Sequence, residues 1–110
     1  MKNKINSQML KGILSGSILL LLDQEELYGY KLGEELTKFG FTDVTKGTIY
    51  PLLLSLEKKN LIKGIMRESD AGPKRKYYSL TKEGIKEKNQ FILQWSKLKS
   101  SVDNLIGGNQ

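Results

Sequence analysis

The stretch TKGTIYPLLLSLEKKNLIKG, Thr45 to Gly64, decides how this chain folds. Ile49, Leu52, Leu53 and Leu56 recur at the i, i+3, i+4, i+7 spacing of an amphipathic helix. Thr45 stands where an N-cap belongs, and Asn60 can end the helix in the left-handed conformation. Gly47 and Pro51 nevertheless fall in its first two turns. On a helical wheel Gly47, Tyr50, Pro51, Leu54 and Lys58 lie on or toward the side opposite the leucines. The helix-weakening residues are therefore on the surface at the N-terminal end. Pro51 costs a backbone hydrogen bond if the helix begins at Thr45, which the buried leucines can offset. In a plainer alternative the helix begins near Thr48, leaving Gly47 in a loop and Pro51 in the permitted first turn.

Upstream, Leu10, Ile13, Leu14, Ser17, Ile18 and Leu21 keep helical spacing and predict a first helix from Ser7, its N-cap, to Leu22. Residues 1–6 are polar and expected to be loose. The segment DQEELYG is a short connection. A second helix is expected from Tyr28 to Phe39, with Tyr28, Leu32, Leu36 and Phe39 on one face and Gly40 as its stop. In YGYKL, Gly29 is read as permitting close packing, with the tyrosines leaning on the first helix. FTDV then crosses to the third helix.

Downstream the periodicity changes. LIKGIMRES, residues 61–69, is compatible with a strand, and KRKYYSL, residues 74–80, alternates. Tyr78 and Leu80 share one face; Arg75, Tyr77 and Ser79 share the other. The turn residues of DAGP lie between them, which makes a β-hairpin. Thr81, the cap in TKEG, opens a fourth helix reaching about Ile106, or about 40 Å of helix, more than so small a domain needs. Phe91, Trp95, Leu98, Val102 and Leu105 follow one another at spacings of 4, 3, 4 and 3, the seam of a coiled coil. Ile85, Ile92 and Ile106 widen that stripe. Such a helix is expected to pair with a second copy of itself, since closed two-fold pairs are the commonest assembly.

With 110 residues there is room for one domain core. The chain has no Cys and no His, which removes disulfides, thiol nucleophiles and imidazole chemistry and argues against structural zinc. The carboxylates Glu25, Glu26, Glu34, Glu35, Asp70 and Glu83 show neither catalytic pairing nor metal-ligand spacing, and no phosphate-binding glycine motif occurs. Neither an enzyme nor a bound cofactor or metal is expected. MLKGILSGSILLLL, after Lys2 and Lys4, loosely resembles a signal peptide. It runs straight into DQEE rather than a small-residue cleavage site, and it is too short to span a bilayer. It reads as a core helix of a cytoplasmic protein without a membrane partner. The net charge of +6 makes so small a domain a candidate for nucleic acid or an anionic surface, the alternative being a merely soluble surface.

The expected fold is mainly α with a small β-hairpin. Residues 7–80 form a winged helix-turn-helix, and residues 81–107 form a long C-terminal dimerisation helix. The third helix would enter the major groove by its N-terminal end. Lys46, Thr48 and Tyr50 are the candidates for phosphate or base-edge contacts, and Gly47 lets the backbone approach. For Tyr50 the alternative is a half-buried packing residue. The hairpin is the wing, where Lys74, Arg75 and Lys76 suit a narrow minor groove; the alternative is a basic edge that discourages sheet pairing. Lys63 and Arg67 add positive charge, and Tyr30 is a further phosphate candidate.

LKGIL with ILLLL (within Leu10 to Leu22), YGYKLGEEL (Tyr28 to Leu36), GTIYPLLLSLEKKNLI (Gly47 to Ile62) and GPKRKYYSLTKEG (Gly72 to Gly84) together resemble the PadR family of transcriptional regulators. The single long C-terminal helix is similar to that of the short-chain members, whose dimers form through it. The resemblance implies a cytoplasmic, dimeric repressor of double-stranded DNA with a palindromic operator, and members often release DNA on binding a small phenolic or drug-like molecule. A small aromatic effector would then meet the region of Phe91, Trp95, Leu98, Val102 and Leu105, where paired indoles offer flat faces; the alternative for Trp95 is dimer core. A protein-interaction adaptor on a winged-helix scaffold, without sequence-specific DNA binding, is the competing function.

Overall fold

The computed structural model describes residues 5–42, 44–70 and 72–108. The sequence readings that fall on residues 1–4, Asp43, Ala71 and residues 109–110 lie outside the described residues. The order of elements is α1 (Ser7–Gln24), β1 (Leu27–Tyr28), α2 (Gly29–Lys38), α3 (Lys46–Lys58), β2 (Ile62–Ser69), β3 (Gly72–Leu80) and α4 (Lys82–Asp103), with a wider helical turn over Asn104–Gly108. This is the winged helix-turn-helix arrangement, mainly helical, with a long last helix.

α1 is the central core helix. Its N-cap is Asn6 rather than Ser7: Asn6 Oδ1 accepts from the amides of Gln8 (2.8 Å) and Met9 (3.4 Å). Both residue types cap well, and the one placed just ahead of the first turn takes the role. Leu14, Ile18, Leu19, Leu21 and Leu22 of α1 are buried against Leu32 and Leu36 of α2 and Ile49, Leu53 and Leu56 of α3. Leu27, Ile62 and Tyr78 close the core from the sheet. Each buried aliphatic side chain contributes about 1.5–3 kcal/mol. None of the described helices is long and apolar enough to cross a membrane.

The expected hairpin is one part of a three-stranded antiparallel sheet, ordered β1-β3-β2. β2 and β3 pair from Ile62 with Leu80 out to Ser69 with Gly72, with an irregularity between Arg67 and Ser69. At the turn the Ser69 hydroxyl donates to the carbonyls of Gly72 (3.2 Å) and Pro73 (2.7 Å), and Gly72 adopts φ +146°, which suits glycine. β1 adds only Leu27 opposite Tyr78 and Tyr28 opposite Tyr77. Two residues show no periodicity, so the sequence presented them as connection and as the start of α2.

α4 is fastened at its beginning and free beyond. The Thr81 hydroxyl accepts from the Gly84 amide (3.0 Å) and donates to the Asn60 carbonyl (2.7 Å), while the Thr81 amide donates to the Leu61 carbonyl (3.2 Å). Asn60 itself takes φ 62°, the expected left-handed stop of α3. Lys88 then meets Asp23 of α1 at 3.0 Å, and the Phe91 ring lies against Gly16. Past Phe91 the helix projects. The radius of gyration is 15.6 Å, against about 13 Å for a compact domain of this length.

Candidate nucleic-acid interface

α3 begins at Lys46, so Gly47 and Pro51 are inside the helix. The amides of Thr48 and Ile49 both donate to the Thr45 carbonyl at 3.0 Å, which rules out the later start near Thr48. Thr45 occupies the cap position, but its side chain makes no capping hydrogen bond; its hydroxyl lies 3.4 Å from that of Thr48. Among the described residues the Lys46 and Gly47 amides therefore keep their donors for an outside acceptor, and the helix dipole makes that end receptive to an anion.

Around this open end Lys46, Gly47 and Tyr50 are exposed and Thr48 is half-buried. Ile49 and Leu53 point into the core, and Leu52 packs beside it. Leu54 is exposed. Lys46 Nζ sits 5.3 Å from the Tyr30 ring centroid, a cation–π contact. The Tyr50 ring is seated on Gly29, where any side chain would strike it, and remains 44% exposed. Gly29 thus permits the expected close packing, and the element it admits is α3. Tyr28 and Tyr30 likewise find partners away from α1. A shallow groove between α2 and α3 is lined by Tyr30, Gly33, Glu34 and Lys46, among others. On its rim Lys31 meets Glu34 at 3.2 Å; that hydrogen bond, helped by the carboxylate charge, holds the Lys31 ammonium above its ordinary pKa.

The wing meets the start of α2 through Arg75 and the last turn of α3 through Lys76. Arg75 stacks 4.5 Å from the centroid of Tyr28, and Tyr28 meets Tyr77 edge-on at 5.2 Å. Tyr77, on the face of β3 that it shares with Arg75, is consequently half-buried. Arg67 holds Glu26 through Nη2 at 2.7 Å and Nε at 3.1 Å. Lys76 Nζ reaches Glu57 Oε1 at 3.1 Å. The hydrogen bond to Glu57 is the main reason its ammonium is held above the ordinary lysine pKa. Lys74 makes only a loose pair with Glu68, at 3.8 Å. The sequence reading grouped the three wing cations and did not foresee their separate partners Glu57 and Tyr28, nor Glu26 for Arg67. Glu57 is 19 residues from Lys76, and nothing in the local pattern signals the pair.

The structure divides the C-terminal seam. Phe91 is half-buried on α1, whereas Trp95, Leu98, Val102 and Leu105 are exposed, at 43%, 55%, 46% and 86%. Ile85, Leu93 and Ile106 are exposed as well. Among the described residues no cluster of carboxylates has the make-up of a metal site.

Comparison with known proteins agrees with this fold. The profile of the transcriptional regulator PadR-like family matches residues 18–90. The crystal structure of a PadR-like transcriptional regulator from Bacillus cereus is 48% identical, with a TM-score of 0.83 over 93% of this chain and 99% of that one. A Streptococcus transcriptional regulator is 45% identical, with a TM-score of 0.83 over 93% of this chain and all (100%) of the other. An uncharacterised protein of Lysinibacillus sphaericus is 29% identical over 94% of this chain and 97% of its own length.

Proposed function

The chain belongs to the PadR-like family of transcriptional regulators, and on that premise we propose that it is a dimeric repressor that reads a palindromic operator with α3 and its wing. The observation that carries the reading is the open N-terminus of α3. It presents Lys46, Gly47, Thr48 and Tyr50 around the uncapped amides of Lys46 and Gly47, while the cations of β3 are exposed on the wing. Backbone amides and Lys46 suit phosphates, the Thr48 and Tyr50 hydroxyls suit phosphate or base edges, and Gly47 keeps the helix axis close to the groove floor. Lys74, Arg75 and Lys76 supply the positive field of the wing.

The exposed seam of Trp95, Leu98, Val102 and Leu105 would close against a second copy, setting two α3 helices on half-sites about one DNA turn apart. Between the paired helices Trp95 offers an indole face to a planar aromatic effector, with Phe91 and Leu98 nearby, and effector binding there releases the operator. The protein acts in the cytoplasm. The test is a titration onto a labelled duplex from upstream of its own coding sequence and onto a scrambled duplex, at several salt concentrations. Preference for the native duplex that persists at higher salt is the expected result. Equal and steeply salt-dependent binding to both would leave only non-specific attraction.

A further inference from the structure

KRK at residues 74–76 reads in the sequence as one basic block, but the fold gives its members different tasks. Strand alternation puts Lys74 and Lys76 on one face of β3 and Arg75 on the other. The stem of Lys76 runs across Gly64 of β2, whose missing side chain is the space it occupies. Its ammonium passes 5.5 Å from the Tyr78 ring centroid and ends on Glu57, in the last turn of α3. The side chains of this pair are 41% and 29% exposed, against 60% and 82% for Lys74 and Glu68. Glu57 sits at the other end of the helix that carries Lys46 and Tyr50. The pair therefore spans from the wing to the recognition helix.

We propose that Lys76 is a positioning residue that, through Glu57, sets the wing against α3, and that Lys74 is the cation the wing extends to the DNA backbone. This rests on the DNA-binding reading above. A wing tip and a helix end must engage the same duplex together, so the angle between them governs how much of the fit is realised. Gly64 belongs to the device, because a β-carbon there would strike Lys76 Cε and force the stem to shift without altering a charge.

The test uses the full chain and a labelled duplex that the protein itself enriches from a random pool, beside a scrambled duplex of equal composition. Salt titrations are run for wild type, Lys74→Ala, Lys76→Met, Glu57→Gln and Gly64→Ala. Lys74→Ala should reduce the slope of log K against log salt by about 0.9 on both duplexes, the share of one phosphate. The other three should keep the wild-type slope and lose about two- to fivefold in affinity for the enriched duplex. A Lys76 that touched phosphate would behave otherwise. Lys76→Met would lower the slope as Lys74→Ala does, and Glu57→Gln and Gly64→Ala, by freeing the ammonium, would bind as tightly as wild type or tighter. Either result overturns the proposal, as does unchanged affinity in Lys76→Met. Wild-type protein that binds both duplexes equally overturns sequence reading instead; the slopes on the scrambled duplex then still separate a phosphate-binding lysine from a positioning one.

Discussion

The ring of Phe91 lies directly on Gly16, so that α4 touches α1 through an aromatic face pressed on bare backbone. Four residues later along the same seam, Trp95 is exposed. One stripe thus serves two surfaces, and substitutions along it should separate them. Phe91→Ala is expected to destabilise the folded chain by about 1–3 kcal/mol, below the range for fully buried aromatic truncations because the ring is half-buried. Trp95→Ala should leave that stability nearly unchanged and weaken self-association or response to aromatic ligands. Urea unfolding and sedimentation equilibrium read the two effects. An equally tight Trp95→Ala dimer with unaltered ligand response would count against a seam beginning at Trp95.

Gly84 is required by a neighbour that cannot yield. Any β-carbon there would be driven into the backbone carbonyl of Leu61. Gly84→Ala, ordinarily favourable in a helix, is expected to cost about 3 kcal/mol here. It should lower the thermal midpoint by more than Gly12→Ala, since Gly12 has open space around it. Equal midpoints for the two variants would show that α4 can shift off Leu61.

Replacing Lys74, Arg75 and Lys76 together by Ala should weaken binding to every duplex and flatten its salt dependence, by about 0.9 in slope for each phosphate that the wing no longer engages. Electrophoretic mobility shifts across a salt series provide the reading. Affinity and slope both equal to wild type would remove the wing from the interface.

Alkaline pH should loosen the join between wing and helix. Burial in the core pushes the Tyr78 phenol above its usual 10.0, and the Glu57 hydrogen bond raises Lys76 above its usual 10.5. Each group holds its proton more tightly when folded. Their contribution is therefore complete below the unfolded values and is lost as pH climbs through the folded ones. Unfolding free energy should fall above about pH 10, and Tyr78→Phe should blunt that fall. A Tyr78→Phe profile that overlays wild type would assign the decline to other groups.

Much of this architecture was legible because it is periodic or local. The α1 and α3 stripes, the Thr81 cap, the Asn60 stop and the alternation of β3 each depend on neighbours within a turn or a strand, and each recurs in the structure. The candidate end of α3 was found by the same means, since Gly47 and Pro51 break a rule where the helix faces outward. β1 escaped because two residues carry no period. The choice of Asn6 over Ser7 escaped because adjacent cap formers differ only in geometry.

By itself, the sequence determined the order of the helices, the buried stripes of α1 and α3, the basic wing and the unusual start of α3, because hydrophobic spacing, caps and turn residues act over a few positions. Phe39, expected on the α2 face with Leu32 and Leu36, is exposed instead, since it falls just past the last turn. Only the tertiary structure decided which cation does what. Arg75 lies over Tyr28, Arg67 holds Glu26 and Lys76 reaches Glu57, although each partner is far off in the chain. Long charged side chains have many rotamers and no periodic signature, so their partners follow from which elements the packed core brings together.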